Sequence, residues 1–185
     1  MIDYDFEKDF WGDCCNTFGE DQKHYIYANL MGLTGEYFSY NVNHKRILDI
    51  GGGPTSLLLK TINLTEGKVC DPINYPQWTK DRYKSKNISV QVIEGEYINE
   101  SGWDEVWIYN VLQHTINPEE IIKNALNSAK VLRIFEWIDI PAHEGHPHML
   151  TKDNLESWIG QKGNTTILNG ENGCYGKCFY GNFIL

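Results

Sequence analysis

Basic residues are scarce in this chain. Sixteen Lys and Arg face 25 Asp and Glu, for a net charge of −9. That disfavours nucleic acid as a partner, because phosphate contacts are made by Lys and Arg. Long apolar runs are also missing: none approaches the roughly 20 residues of a membrane span. The acidic, aromatic opening MIDYDFEKDFWGD does not read as a signal peptide. The five cysteines contain no CxxC pair, which predicts reduced thiols and a cytoplasmic location. With no linker, repeat or low-complexity stretch, the 185 residues read as one domain. Residues 1–45 form a helical lead-in to it, and residues 46–185 a sheet-and-helix core.

The most informative stretch is RILDIGGGPTSLLL, Arg46 to Leu59. A short apolar strand carries one carboxylate, Asp49. Gly51, Gly52 and Gly53 follow, then Pro54 and Thr55. Glycines let the backbone turn sharply and approach a ligand closely. Pro54 suits a first helical turn, Thr55 or Ser56 can cap it, and the pattern predicts a helix over Thr55 to Ile62. Its start would offer free N–H groups to a polar ligand.

Upstream, Glu20 to Leu33 reads as a helix stopped by Gly32, and Gly35 to Tyr40 as a second short helix. Downstream, further strands are predicted over 67–70, 88–93, 104–109 and 131–138. A weak helix or loop is expected over 76–83. Helices are predicted over 118–129, capped by Asn117, and over 151–159, capped by Thr151. Late strands over 165–168 and 177–185 flank the turn NGENGCYG. Alternating strands and helices predict a mostly parallel sheet covered on both faces, with an antiparallel hairpin at its C-terminal edge.

In such a sheet, ligands lie at the carboxyl ends of the strands. Asp71, before Pro72, lies 22 positions beyond Asp49 and offers paired acceptors to ribose hydroxyls. The third strand ends at Glu94-Gly95-Glu96-Tyr97, where a carboxylate can accept from an adenine amino group. The fourth ends at Asn110-Val111-Leu112-Gln113-His114. The fifth runs into PAHEGHPHML, whose His143, Glu144, His146 and His148 superficially suggest metal ligands. Gly145 and Pro147 imply a loop with no fixed i, i+4 pair, so histidines facing substrate are favoured over a metal.

The succession ILDIGGGPTS, VCDP, IEGE and WDEVWIYNVLQHTINPEE resembles the class I S-adenosylmethionine-dependent methyltransferases. It covers about three-quarters of the chain, from Ile47 onward. The resemblance implies a Rossmann-like α/β fold with a mostly parallel seven-stranded sheet. It assigns Asp49, Gly51, Gly52 and Gly53 to the methionine part of S-adenosylmethionine, and Asp71 with Pro72 to its ribose. Glu96 and Tyr97 fall to adenine, and Asn110 and His114 to the methyl-transfer site. Thr55 departs from the family, which often has glycine there. The lead-in would close over the cofactor. The Pro-Pro-aromatic run of base amino methyltransferases is missing after Asn110, and no cysteine follows a proline; both disfavour nucleic-acid substrates.

The expectation is therefore methyl transfer to an O or N of a small-molecule acceptor, with His114, His143 or His146 as candidate bases and no metal. A non-catalytic S-adenosylmethionine-binding module is the alternative. An NAD-dependent oxidoreductase is disfavoured, because that fingerprint normally follows an uncharged strand end. The aromatic N-terminus suggests a homodimer contact.

Overall fold

A computed structural model of the protein describes residues 4–36 and 38–185. Seven strands form one continuous path, in the order β4-β3-β2-β5-β6-β8-β7. They are β2 (Ser39–Ile50), β3 (Thr61–Asp71), β4 (Ile88–Val92), β5 (Trp103–Tyr109), β6 (Ala129–Trp137), β7 (Asn164–Asn169) and β8 (Tyr175–Ile184). The two-residue β1 (Gly35–Glu36) pairs with β2 off that path. β2 to β6 pair in parallel, whereas β8 is antiparallel to both β6 and β7. The topology agrees with the sheet and hairpin expected from sequence.

The helices are α1 (Asp5–Trp11), α2 (Phe18–Leu30), α3 (Gln77–Lys84), α4 (Pro118–Ser128) and α5 (Lys152–Ile159). α4 starts as its sequence dictates: Asn117 accepts the Glu120 N–H and Pro118 occupies the first turn. Thr151 caps α5 and Gly160, at φ 75°, ends it. Ile121, Ile122 and Ala125 of α4 and Leu155 and Ile159 of α5 pack on Leu48, Val106, Leu132 and Ile134 of the sheet. On the opposite face, Ile26 and Tyr27 of α2 and Tyr83 of α3 pack on Ile47, Trp107 and Phe135. Period-two alternation sends each strand's neighbours to opposite cores.

Two expected helices are not formed. The segment expected as a helix over Thr55 to Ile62 is only a 3-10 turn, Leu57–Lys60, capped by Ser56, after which β3 begins at once. Thr61 and Ile62 are β-branched and favour the strand. They pair with Tyr40 and Asn41 of β2, so both strands begin earlier than their apolar runs suggest. Lys60 turns inward, with Nζ 2.6 Å from Asp21 and 2.5 Å from His24 of α2. The short helix expected over Gly35 to Tyr40 is instead β1 and the start of β2; its Tyr37 lies outside the described residues. Conversely, α1 forms in a stretch without clear periodicity.

Candidate functional site

The glycine turn leaves β2 at Ile50. Gly51 and Gly53 take φ of 74° and 60°, and a Cβ on Gly51 would lie 2.5 Å from the Val111 side chain. Only glycine fits that combination of conformation and crowding. Beneath the turn lies Asp49, fully buried. Its Oδ2 accepts hydrogen bonds from the Tyr109 hydroxyl at 2.5 Å and from the Ser56 hydroxyl. Oδ1 is enclosed with no partner among the described residues. Burial raises its pKa to about 7. Tyr109 Oη also accepts the Leu57 N–H at 2.9 Å. Tyr83 Oη accepts the Ser56 N–H and donates to the Gly53 carbonyl. Buried hydroxyls thus brace the turn where no α-helix follows it.

Asp71 ends β3 beside the turn. Its two oxygens accept the Gly53 and Ile73 N–H groups at 3.1 and 2.9 Å, while burial raises its pKa to about 6. Asp71, Pro72, Gly51, Glu96, Asn110 and Ile121 help line a cavity of about 80 Å³. A second one, of about 60 Å³, lies against Gly51, Gly52, Gly53, Asp71 and Asn110. Both are small beside the roughly 300–1,000 Å³ of ordinary ligand sites. Tyr4 and Glu7, at and within the first turn of α1, form part of the first cavity's wall, and Trp11 closes on the second. Glu96 Oε1 accepts the Ile116 and Asn117 N–H groups, both at 2.9 Å. Tyr97 is 68% exposed and lines neither space. Asp49 lies behind the turn rather than on either wall.

Across Asn110 and His114 opens a larger cavity of about 420 Å³. Its walls include Phe6, Phe10 and Trp11 from the lead-in, Lys23 from α2, Trp137 from β6 and Tyr175 from β8. His114, His143 and His146 converge there, the His146 ring centroid lying 4.4 Å from each of the other two. His114 Nδ1 lies 2.7 Å from the Gly145 carbonyl and 2.9 Å from Glu7 Oε1. Burial lowers its pKa, but Glu7, the Gly145 carbonyl and Glu136 outweigh that and raise it overall. Burial, with the charges of His114 and His143, lowers His146 to about 4. His148 turns away and bonds the Thr115 carbonyl. Among the described residues no group of three His, Cys, Asp or Glu side chains is arranged to hold a metal.

Sequence reasoning missed Glu7, Trp11 and Glu136. Glu136 is fully buried and accepts the Val111 and Leu112 N–H groups, shaping the loop that carries His114. Burial raises its pKa to about 8. The available signal was a lone carboxylate in an apolar strand, the same signal that marks Asp49.

No protein-family model matches the chain, and no curated protein matches it in sequence. Solved structures match it in fold. One is a chain of the Haloferax volcanii complex between the Trm112 methyltransferase activator and a putative methyltransferase. It has a TM-score of 0.67 at 11% identity, over 96% of this chain and 95% of that one. Another is Burkholderia thailandensis 1,6-didemethyltoxoflavin-N1-methyltransferase, at 0.64 and 10%, covering 97% and 82%. A third is magnesium protoporphyrin IX methyltransferase from Synechocystis with bound S-adenosylmethionine, at 0.61 and 14%, covering 96% and 89%. The fold is that of the class I S-adenosylmethionine-dependent methyltransferases. Within this methyltransferase fold, Asp71, Glu96 and Asn110 stand at successive strand ends around one edge of the sheet. No described helix is long and apolar enough to cross a membrane.

Proposed function

We propose that the protein is a methyltransferase that moves the methyl group of S-adenosylmethionine to an O or N of a small-molecule acceptor. The observation that carries this reading is the junction of the cavities. The two narrow spaces at the glycine turn and Asp71 meet the wide aromatic one at Asn110, with His114 bordering the first narrow space and the wide one. One side suits a cofactor and the other an acceptor, in a fold whose solved examples include methyltransferases.

The residues present fit the cofactor. The Asp71 carboxylate retains acceptor capacity for ribose hydroxyls. Ile50, Ile73, Val111 and Ile121 offer an apolar wall to adenine beside Glu96. Gly51, Gly52 and Gly53 with Asn110 border the space for the methionine part. The enclosed, unpartnered Asp49 oxygen lies behind them as negative potential toward an ammonium. When bound, the cofactor supplies an electrophilic sulfonium methyl. Positioning by the protein then provides much of the rate. On this reading α1 moves aside for cofactor entry and settles back against the bound cofactor, the narrow spaces walled by Tyr4, Glu7 and Trp11 widening to take it. We read residues 1–185 as one cytoplasmic domain, with α1 and α2 as its cover.

The alternative is a non-catalytic module that binds the cofactor in the same pocket and transfers nothing. Calorimetric titration with S-adenosylmethionine, S-adenosylhomocysteine and NAD separates the readings. The expected result is micromolar binding of the first two, weakened at least tenfold by Asp71→Ala and unchanged by Tyr97→Ala. Binding of NAD alone would overturn the proposal. Cofactor binding without turnover across an acceptor screen would leave the module.

A further inference from the structure

We propose that Glu7 and His114 form a proton-accepting dyad, assembled by closure of α1, for a planar aromatic acceptor bearing an ionisable ring hydroxyl. This rests on the methyltransferase reading for its purpose, but the proton step belongs to the chain's own residues.

The first support is position. Glu7 and His114 both line the narrow cavity beside Asp71 and the wide aromatic one, and they share this with Asn110. A proton acceptor for a reacting hydroxyl belongs at such a junction. The second is tautomer. His114 Nδ1 faces two acceptors, the Gly145 carbonyl at 2.7 Å and Glu7 Oε1 at 2.9 Å. It must therefore carry the hydrogen, leaving the lone pair of the neutral ring on Nε2. A carboxylate on the far nitrogen fixes the ring and stabilises the imidazolium once it forms, as in other carboxylate–imidazole pairs. His146 is the weaker candidate, because burial, with His114 and His143, opposes its protonation and its Nδ1 is enclosed without a partner among the described residues.

The third support is the shape and lining of the wide cavity. Five aromatic rings, those of Phe6, Phe10, Trp11, Trp137 and Tyr175, surround about 420 Å³. Phe10 and Tyr175 remain 60% and 71% exposed at its rim. Rings offered edge and face to an open space favour a planar aromatic guest. In the step itself, the acceptor's O–H bond breaks and an N–H bond forms at His114 Nε2. The electron pair stays on oxygen, giving a phenolate beside an imidazolium paired with Glu7. That oxygen is then the nucleophile. The charged or titratable groups around His114 include Glu7 from α1, Glu136 from β6, and His146 and His143 from the loop after β6; Glu20 and Lys23 of α2 share the wide cavity with it, and Tyr4, Asp71 and Glu96 the narrow one. Because Glu7 arrives on α1, the dyad exists only in the closed form.

The test uses 4-nitrophenol, whose phenolate alone absorbs in the visible, and 4-nitroanisole, its counterpart without the proton. Both are expected to bind, and Phe10→Ala to weaken both. Bound 4-nitrophenol should half-ionise about one pH unit below the free compound, as a nearby cation makes it do. Glu7→Gln should return the midpoint most of the way to that of the free compound while keeping 4-nitroanisole affinity; Glu7→Asp should restore part of the shift. An unshifted midpoint in the wild type, or one equal in wild type and Glu7→Gln, overturns the dyad. So does loss of 4-nitroanisole binding in Glu7→Gln, which would make Glu7 a closure contact only. S-adenosylhomocysteine is titrated into the same samples. If it binds and neither aromatic probe does, this inference fails and the methyltransferase proposal stands. If the probes behave as expected and it does not bind, the dyad stands and the cofactor reading fails.

Discussion

The two faces of the sheet are held by different chemistry. Under α4 and α5 the core is aliphatic: Leu48, Ile50, Ile108, Ile121, Ile122, Leu132 and Ile134 bury one another with few polar atoms. Under α2 and α3 it is aromatic and polar-tipped: Tyr27, Tyr83, Trp107, Tyr109 and Phe135 pack around buried charges. Arg133 grips Glu105 with Nε at 2.7 Å and Nη2 at 3.0 Å, and its Nη1 donates to the Met31 carbonyl at the end of α2. Lys45 and the Trp107 indole complete the shell of Glu105. The polar face is also the one without an α-helix after the glycine turn. Its hydroxyls and ion pairs do the bracing a helix would otherwise supply. The glycine turn at the proposed cofactor site is therefore braced by directional bonds, while Ile50 and Ile121 of the aliphatic face wall the side given to adenine.

Breaking the ion pair should have the largest effect. Arg133→Met leaves the Glu105 carboxylate buried with Lys45 as its remaining cation and is expected to cost about 3–5 kcal/mol. Ile122→Val on the aliphatic face should cost about 0.5–1.5 kcal/mol. Urea unfolding measures both; equal losses would erase the contrast between the faces.

A smaller effect is expected from Tyr109→Phe, which removes one atom. It takes a donor from Asp49 and an acceptor from the Leu57 N–H, at a cost of about 1–3 kcal/mol. It should also weaken S-adenosylhomocysteine binding through the turn, measured by the same calorimetry. Unchanged stability would show that Ser56 and Tyr83 suffice.

The mildest test is pH. Burial raises Asp49 to about 7, Asp71 to about 6 and Glu136 to about 8. Raised acids bind more protons folded than unfolded, so their contribution is full below the unfolded values near 4 and is lost as pH rises through the folded ones. Glu105 behaves oppositely. Burial opposes its ionisation, but Arg133 and Lys45 prevail and lower it to about 2; its contribution is present above the unfolded value and lost as pH falls through the folded one. The thermal midpoint should fall from pH 5 to pH 8, and Glu136→Gln should flatten the upper part of that slope. A midpoint that rises over this range would contradict the rise that burial gives these acids.

Much of this architecture is written locally. The parallel strands announce themselves as apolar runs, α4 and α5 by their caps, and the glycine turn by three successive glycines. Asp71, Glu96 and Asn110 are legible because a strand's end is legible and the fold places ligands there. Tyr97 is adjacent to Glu96 in sequence, yet it points to solvent, because a 3-10 turn over Gly95–Tyr97 rotates successive side chains apart.

Residues 55–62 show the limit of local reading. Their pattern suits a helix, yet pairing with the first half of β2 and the inward pull of Asp21 and His24 on Lys60 make them a turn and a strand. Glu7 is invisible locally and Glu136 shows only as a lone carboxylate in an apolar strand, since their roles arise through partners 107 and 25 positions away, His114 and Val111. The sequence by itself determined strand order signals, helix caps and the glycine turn, because these depend on neighbours within a few residues. Tertiary structure alone decided which carboxylates are buried, which hydroxyls brace the turn and which imidazole meets Glu7. Burial and long-range hydrogen bonding are properties of the packed chain rather than of any segment.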